Sequence, residues 1–155
     1  MQTIDDLLRE VPAFTGMRDE HLELVAGCAT NKVFAAGDYL AREGRSADTF
    51  WVIRAGAVAL ETHLPERGTL VIETLHAHDL VGWSWLVEPF RNHFDVRATT
   101  TARTIAFDGA CLRGKCDGDP VLGYELLRRF AVVIVDRLQA TRLQLTDVYG
   151  HVAGS

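Results

Sequence analysis

The chain has 155 residues, 48% hydrophobic and 24% charged, a mixture suited to one domain with a single core and unlike that of a disordered segment. Its 16 basic residues are outnumbered by 21 acidic ones, for a formal charge of −5, which argues against a surface devoted to DNA or RNA. No uncharged apolar run approaches the roughly 20 residues of a spanning helix, and the start MQTIDDLLRE lacks a basic-then-apolar leader, so a cytoplasmic protein without a membrane contact is expected.

Residues 1–31 read as a helical cap. Leu7, Leu8 and Val11 form one stripe, and Leu22, Leu24, Val25 and Cys28 form another behind the acidic start RDEH. From 32 to 108 the texture changes to short β-branched and aromatic runs parted by glycine turns: KVFAAGDYLAREGRSADTFWVIRAGAVALET, TLVIETL and DVRATTTARTIAFD. That spacing predicts an antiparallel barrel or sandwich. Gly37, Gly44 and Gly56 stand where strands must turn sharply, with Glu43 and Asp48 as polar turn residues. Asp95 and Arg97, at i and i+2 on a strand, share a face and are expected to pair with each other.

Residues 109–150 read as a hinge and a long C-terminal helix. Asp119 is the expected N-cap and Pro120 the first-turn residue. The stripe that follows runs Leu122, Leu126, Phe130, Val133, Ile134, Arg137, Leu138, Thr141, Leu145 and Val148, before Tyr149 and Gly150. A helix of about 30 residues far exceeds the mean of about 11 to 12. Leu127, Ile134, Thr141 and Val148 recur every seven residues, so a homodimer seam along this helix is expected. Cys28, Cys111 and Cys116 form an odd set without a leader and read as reduced thiols, with Cys111 and Cys116 the conceivable redox pair.

In this order the chain resembles the cyclic nucleotide-binding domain family, of the catabolite activator protein and protein kinase A regulatory subunit type, from about residue 12 to 149. FAAGDYLAREGRSADTFWVIRAGAVAL is similar to the family's first strands and turns, HDLVGWSWL and DVRATTTARTIAFD to the phosphate-binding cassette and the strand after it, with the cassette spanning 82–98. The resemblance implies a mainly β fold with flanking helices, an antiparallel β-roll of jelly-roll-like type with N-terminal helices and a long C-terminal helix, and a ligand held between the roll and that helix. In that family a short helix after a glycine offers backbone N–H groups to a cyclic phosphate, an arginine neutralises it, and a glutamate accepts from the ribose 2′-hydroxyl.

Gly82 keeps the glycine, Ser84 supplies a hydroxyl and Leu86 keeps the apolar anchor, but Trp83 stands at the glutamate position and Asn92 at the arginine position. Arg91, one place early, is the candidate anion contact, with His93 beside it. Trp83 and Trp85 offer flat surfaces and one indole donor each, and a helical turn aims them differently, one to the pocket and one to the core. The candidate site is therefore Gly82, Trp83, Ser84, Trp85, Arg91, Asn92 and His93, taking a cyclic nucleotide or another aromatic small molecule, with no cofactor and no metal.

Three functions follow. The first is a non-enzymatic regulatory module that signals through the hinge and a dimer helix to a protein partner. No helix-turn-helix follows before Ser155, so direct contact with nucleic acid is not expected. The second is a degenerate pocket serving dimerisation or docking. The third is a cupin-like metal site on His76, His78 and His93, which lacks its carboxylate; LHAHDLVG reads better as polar turn residues, with His78 in place of a glycine. No GxSxG motif supports hydrolysis.

Overall fold

The structure is a computed structural model describing residues 2–153, with side chains as far as 143. Helices α1 (Ile4–Arg9) and α2 (Asp19–Ala26) flank a 3₁₀ turn at Pro12–Phe14. Eight antiparallel strands follow among the described residues: β1 (Ala29–Phe34), β2 (Tyr39–Ala41), β3 (Thr49–Ala55), β4 (Val58–Leu64), β5 (Gly68–Leu75), β6 (Leu80–Val81), β7 (Asp95–Ala98) and β8 (Ala102–Asp108). Helices α3 (Gly109–Gly118) and α4 (Pro120–Ala153) close the chain. The strands form two four-stranded sheets, ordered β1-β8-β3-β6 and β2-β7-β4-β5, which make the β-roll.

The molecule has three layers, and β3 shows why. Its sequence TFWVIRA has no polar alternation because both faces are covered. Phe50 and Val52 join Leu8, Phe14, Leu22, Phe107 and Phe130 in a core between the first sheet and the helices. Trp51 and Ile53 point the other way, into a second core between the sheets with Phe34, Leu60, Val81 and Val96. At the β3–β4 turn Gly56 has φ +87°, and a Cβ there would lie 2.1 Å from the Thr101 carbonyl oxygen, so only glycine fits.

Asp119 caps α4, its carboxylate accepting from the Leu122 amide at 3.2 Å, with Pro120 in the first turn. Leu122, Leu126 and Phe130 are buried, whereas no described side chain from 131 to 143 is. Tyr124, Leu127, Val132, Val135, Leu138 and Leu143 are exposed. The side chains of Leu145, Val148 and Tyr149 lie outside the described residues.

Two expectations are corrected. Cys28 and Cys111 form a disulfide with a Cα–Cα separation of 5.8 Å, leaving Cys116 as the free thiol. The bond joins the end of α2 to the first turn of α3, a proximity created by β1 and β8 lying side by side and invisible to a count of cysteine spacing. Burial pushes the Cys116 thiol up, reinforced by Asp117 and Asp119. Asp95 and Arg97 do not pair with each other. Arg97 reaches across to Glu61 on β4, donating from Nε at 2.8 Å and from a terminal nitrogen at 3.2 Å. Asp95 instead accepts from the Glu43 amide at 2.7 Å and lies 3.4 Å from Arg42. Sharing a face sets which residues are neighbours, but the adjacent strand offered Arg97 a buried carboxylate at closer range.

Candidate functional site

The site is built around the chain that leaves β6. Gly82 has φ +92°, the left-handed conformation that turns the chain away from the sheet, and a single 3₁₀ turn, Ser84–Leu86, follows. The segment then doubles back to β7 through Arg91, Asn92 and His93. Gly82, Trp83 and Ser84 face Asn92, His93 and Phe94 across a half-open cavity. Ala41, Trp51, Leu60 and Val96 form its floor, and Arg137 of α4 completes the wall.

The seven expected site residues part company here. Gly82, Trp83, Ser84, Asn92 and His93 line the cavity. Trp85 does not: it is fully buried, stacked on Phe50 at 4.8 Å and edge-on to Phe130 at 5.3 Å. Its carbonyl accepts from Arg113 of α3 at 2.7 Å. Arg91 is also absent from the lining. It bridges to Ser46, and its guanidinium donates to the Gly44 carbonyl at 2.9 Å, which directs the charge along the neighbouring loop. Asn92 is tied to the same loop by a bond from its side-chain amide to the Arg42 carbonyl at 3.2 Å.

Arg137 is the residue that reasoning along the sequence missed as part of the site, although an arginine interrupting the apolar stripe of α4 was its signal. One terminal nitrogen donates to the Leu80 carbonyl, the other is buried with no partner, and the guanidinium stands 5.1 Å from the centre of the Trp83 ring. Burial pushes the Arg137 pKa down, while Glu73 and Asp79 pull it up; the net shift is downward, and an arginine remains charged at neutral pH. No aspartate or glutamate lines the cavity among the described residues. His78 has φ +73°, placing it in a turn as a stand-in for glycine, and the described residues contain no cluster of three His, Cys, Asp or Glu side chains arranged to hold a metal.

A cassette-like turn beneath a long helix is the arrangement that the sequence resemblance implied, and the model of the cyclic nucleotide-binding domain matches residues 31–119. The chain belongs to the cyclic nucleotide-binding domain family. A candidate cyclic nucleotide-binding protein from Geobacter metallireducens GS-15 superposes with a TM-score of 0.80 at 25% identity, covering 89% of this chain and 99% of that one. A cyclic nucleotide-binding domain from Methylobacillus flagellatus KT gives 0.79 at 16% identity, over 93% and 81% of the two chains. The catabolite activator protein of Thermus thermophilus gives 0.70 at 16% identity, over 89% and 63%. At 16% identity the last two show the fold alone. A comparison with curated proteins found no match.

As a cyclic nucleotide-binding domain the chain carries no lining carboxylate at this cavity among the described residues. By the resemblance in sequence, Trp83 stands where the ribose-binding glutamate is expected and Asn92 where the phosphate-binding arginine is expected, and the Asn92 side chain is bonded to a backbone carbonyl. The cation at this cavity comes instead from α4. No described helix is long and apolar enough to cross a membrane.

Proposed function

We propose that the chain is a non-enzymatic sensing module: a small aromatic molecule, with cyclic nucleotides among the candidates, binds the cavity under Trp83, and α4 carries the occupancy signal to a partner. One observation carries this reading. The cavity wall is shared between the cassette and α4 through Arg137, so a ligand there touches both elements at once. The cassette is also coupled to the helices beneath it, since Arg113 holds the Trp85 carbonyl and Phe130 packs on the Trp85 ring. A ligand that binds one arrangement of these parts better than another shifts the population toward it.

The outer part of α4 supports a second copy of this chain as the immediate receiver of that signal. Its exposed Tyr124, Leu127 and Leu138 lie along a stripe of near seven-residue recurrence with Ala131, Ile134 and Thr141, the spacing at which two helices interlock.

A thermal-shift screen against cyclic AMP, cyclic GMP, linear nucleotides and apolar metabolites, read alongside tryptophan fluorescence, tests the sensing role. Ligand at a hundredfold over its dissociation constant adds about 2.7 kcal/mol, or about 5 to 10 °C for a domain of this size. A saturable shift with a change in Trp83 emission is expected. No shift with any class would leave the pocket vestigial and the fold a docking or dimerising unit.

A further inference from the structure

We infer that the cavity takes an anionic aromatic molecule whose negative group docks on Arg137 of α4, rather than on the cassette, and whose ring lies against Trp83. This rests on the reading of the cavity as a ligand site and names the chemistry of what fills it.

The first argument is the state of Arg137. Its guanidinium is held at one end by the Leu80 carbonyl, while its other terminal nitrogen is buried without an acceptor. Glu73 and Asp79 act on it electrostatically, yet neither accepts a hydrogen bond from it. A buried cationic donor left unpaired is costly, and an anion arriving beside it recovers a charge-assisted bond. The second argument is independent of the first. Trp51 lines the same cavity, and its indole N–H is also buried without a partner. Two unmet donors and no lining carboxylate make a site that asks for an acceptor-rich group.

The cassette cannot meet that demand in the family's manner. Arg91 is spent on the Gly44 carbonyl and Asn92 on the Arg42 carbonyl. With Trp83 at the position of the ribose-binding glutamate, nothing acidic waits for a sugar hydroxyl. Trp83, Trp51 and Phe94 instead supply aromatic wall. The negative group can be the cyclic phosphate of a nucleotide or the carboxylate of an aromatic acid; both present the same oxygens to the same guanidinium.

Calorimetric titration of the whole chain separates these. The probes are 1-naphthaleneacetate with its neutral partner 1-naphthaleneacetamide, and cyclic AMP with 2′-deoxy cyclic AMP. At least one anion is expected to bind, the acid at least about tenfold more tightly than the amide if it is the acid, and the two cyclic nucleotides alike if it is the nucleotide. Arg137→Gln is expected to remove at least about tenfold of the anion's affinity, Arg137→Lys to keep part of it, and Arg91→Gln to change it little. Melting curves of each variant show that the fold persists, and the lysine variant keeps the test valid should the glutamine variant unfold. Anion binding that survives Arg137→Gln but falls with Arg91→Gln overturns the inference while leaving the sensing role intact. Equal affinity for acid and amide, or a tenfold loss on removing the 2′-hydroxyl, does the same. Failure of every probe overturns both.

Discussion

Trp83 and Trp85 stand two positions apart and meet opposite surroundings, one facing the cavity and the other fully enclosed by Phe50 and Phe130. Trp85→Ala is expected to cost about 3 to 5 kcal/mol in denaturant unfolding, since it opens a large cavity in the aromatic stack. Trp83→Ala should melt much closer to the parent and lose ligand affinity instead; a reversed order in the melts would mean that the two roles are exchanged. A similar asymmetry governs Glu61 and Arg97. Glu61 is 3% exposed, whereas about a third of Arg97 reaches solvent, its side chain being 32% exposed. Arg97→Met strands a buried carboxylate, while Glu61→Gln leaves an arginine that water can still solvate. Arg97→Met should therefore lower the melting temperature more than Glu61→Gln does. This pair was illegible in the sequence because Glu61 lies 36 residues from Arg97 and only strand register brings them together.

At the scale of elements, α2 and α4 are clamped by one polar cluster. His21 Nδ1–H donates to Glu125 at 2.5 Å, and His21 Nε2 accepts from Arg18 at 2.9 Å. Arg129 donates to Glu125 at 3.1 Å and to the Ala13 and Thr15 carbonyls at 3.1 and 2.8 Å. Burial pushes the Glu125 carboxyl up, but the bonds from His21 and Arg129, with the Arg129 charge, outweigh it and hold the carboxyl below its ordinary value of 4.5. A folded-state pKa below the unfolded one means that the cluster's contribution is complete above about pH 4.5 and is lost as the pH falls through the depressed folded value. Melting temperature should accordingly fall on acidification below that point, and Glu125→Gln should flatten the dependence. An unchanged acid limb in the variant would assign the loss to other carboxylates. The helices themselves were plain from period and caps, whereas the clamp, like the Cys28–Cys111 bond, joins residues from opposite ends of the chain.

For the molecule as a whole, the proposed second copy depends on α4. A helix of 34 residues spans about 51 Å, and among the described side chains its inward face is buried only as far as Phe130. Beyond that point Val132, Val135, Leu138 and Leu143 are exposed in the single chain. Light scattering should return twice the chain mass, and Leu127→Glu with Leu138→Glu should return the single mass without lowering helix content, because neither residue touches the core of its own chain. A parent protein of single mass at micromolar concentration would remove the seam and with it the route from cavity to second copy.

Pattern along the chain was enough for the strand-rich middle, the flanking helices and the glycine turns, because each is set by local backbone preference and by which faces must leave water, whereas the β-roll and the cassette at Gly82 came from the resemblance. Which side chains face one another across the cavity is a long-range matter. Arg137 sits 55 residues beyond Gly82, and it meets the cassette only because Leu122, Leu126 and Phe130 seat α4 on the aromatic core. Arg91 left the site for the equally long-range reason that the Gly44 carbonyl lay within its reach. Local sequence determined what each segment is, and packing decided which cation the cavity received.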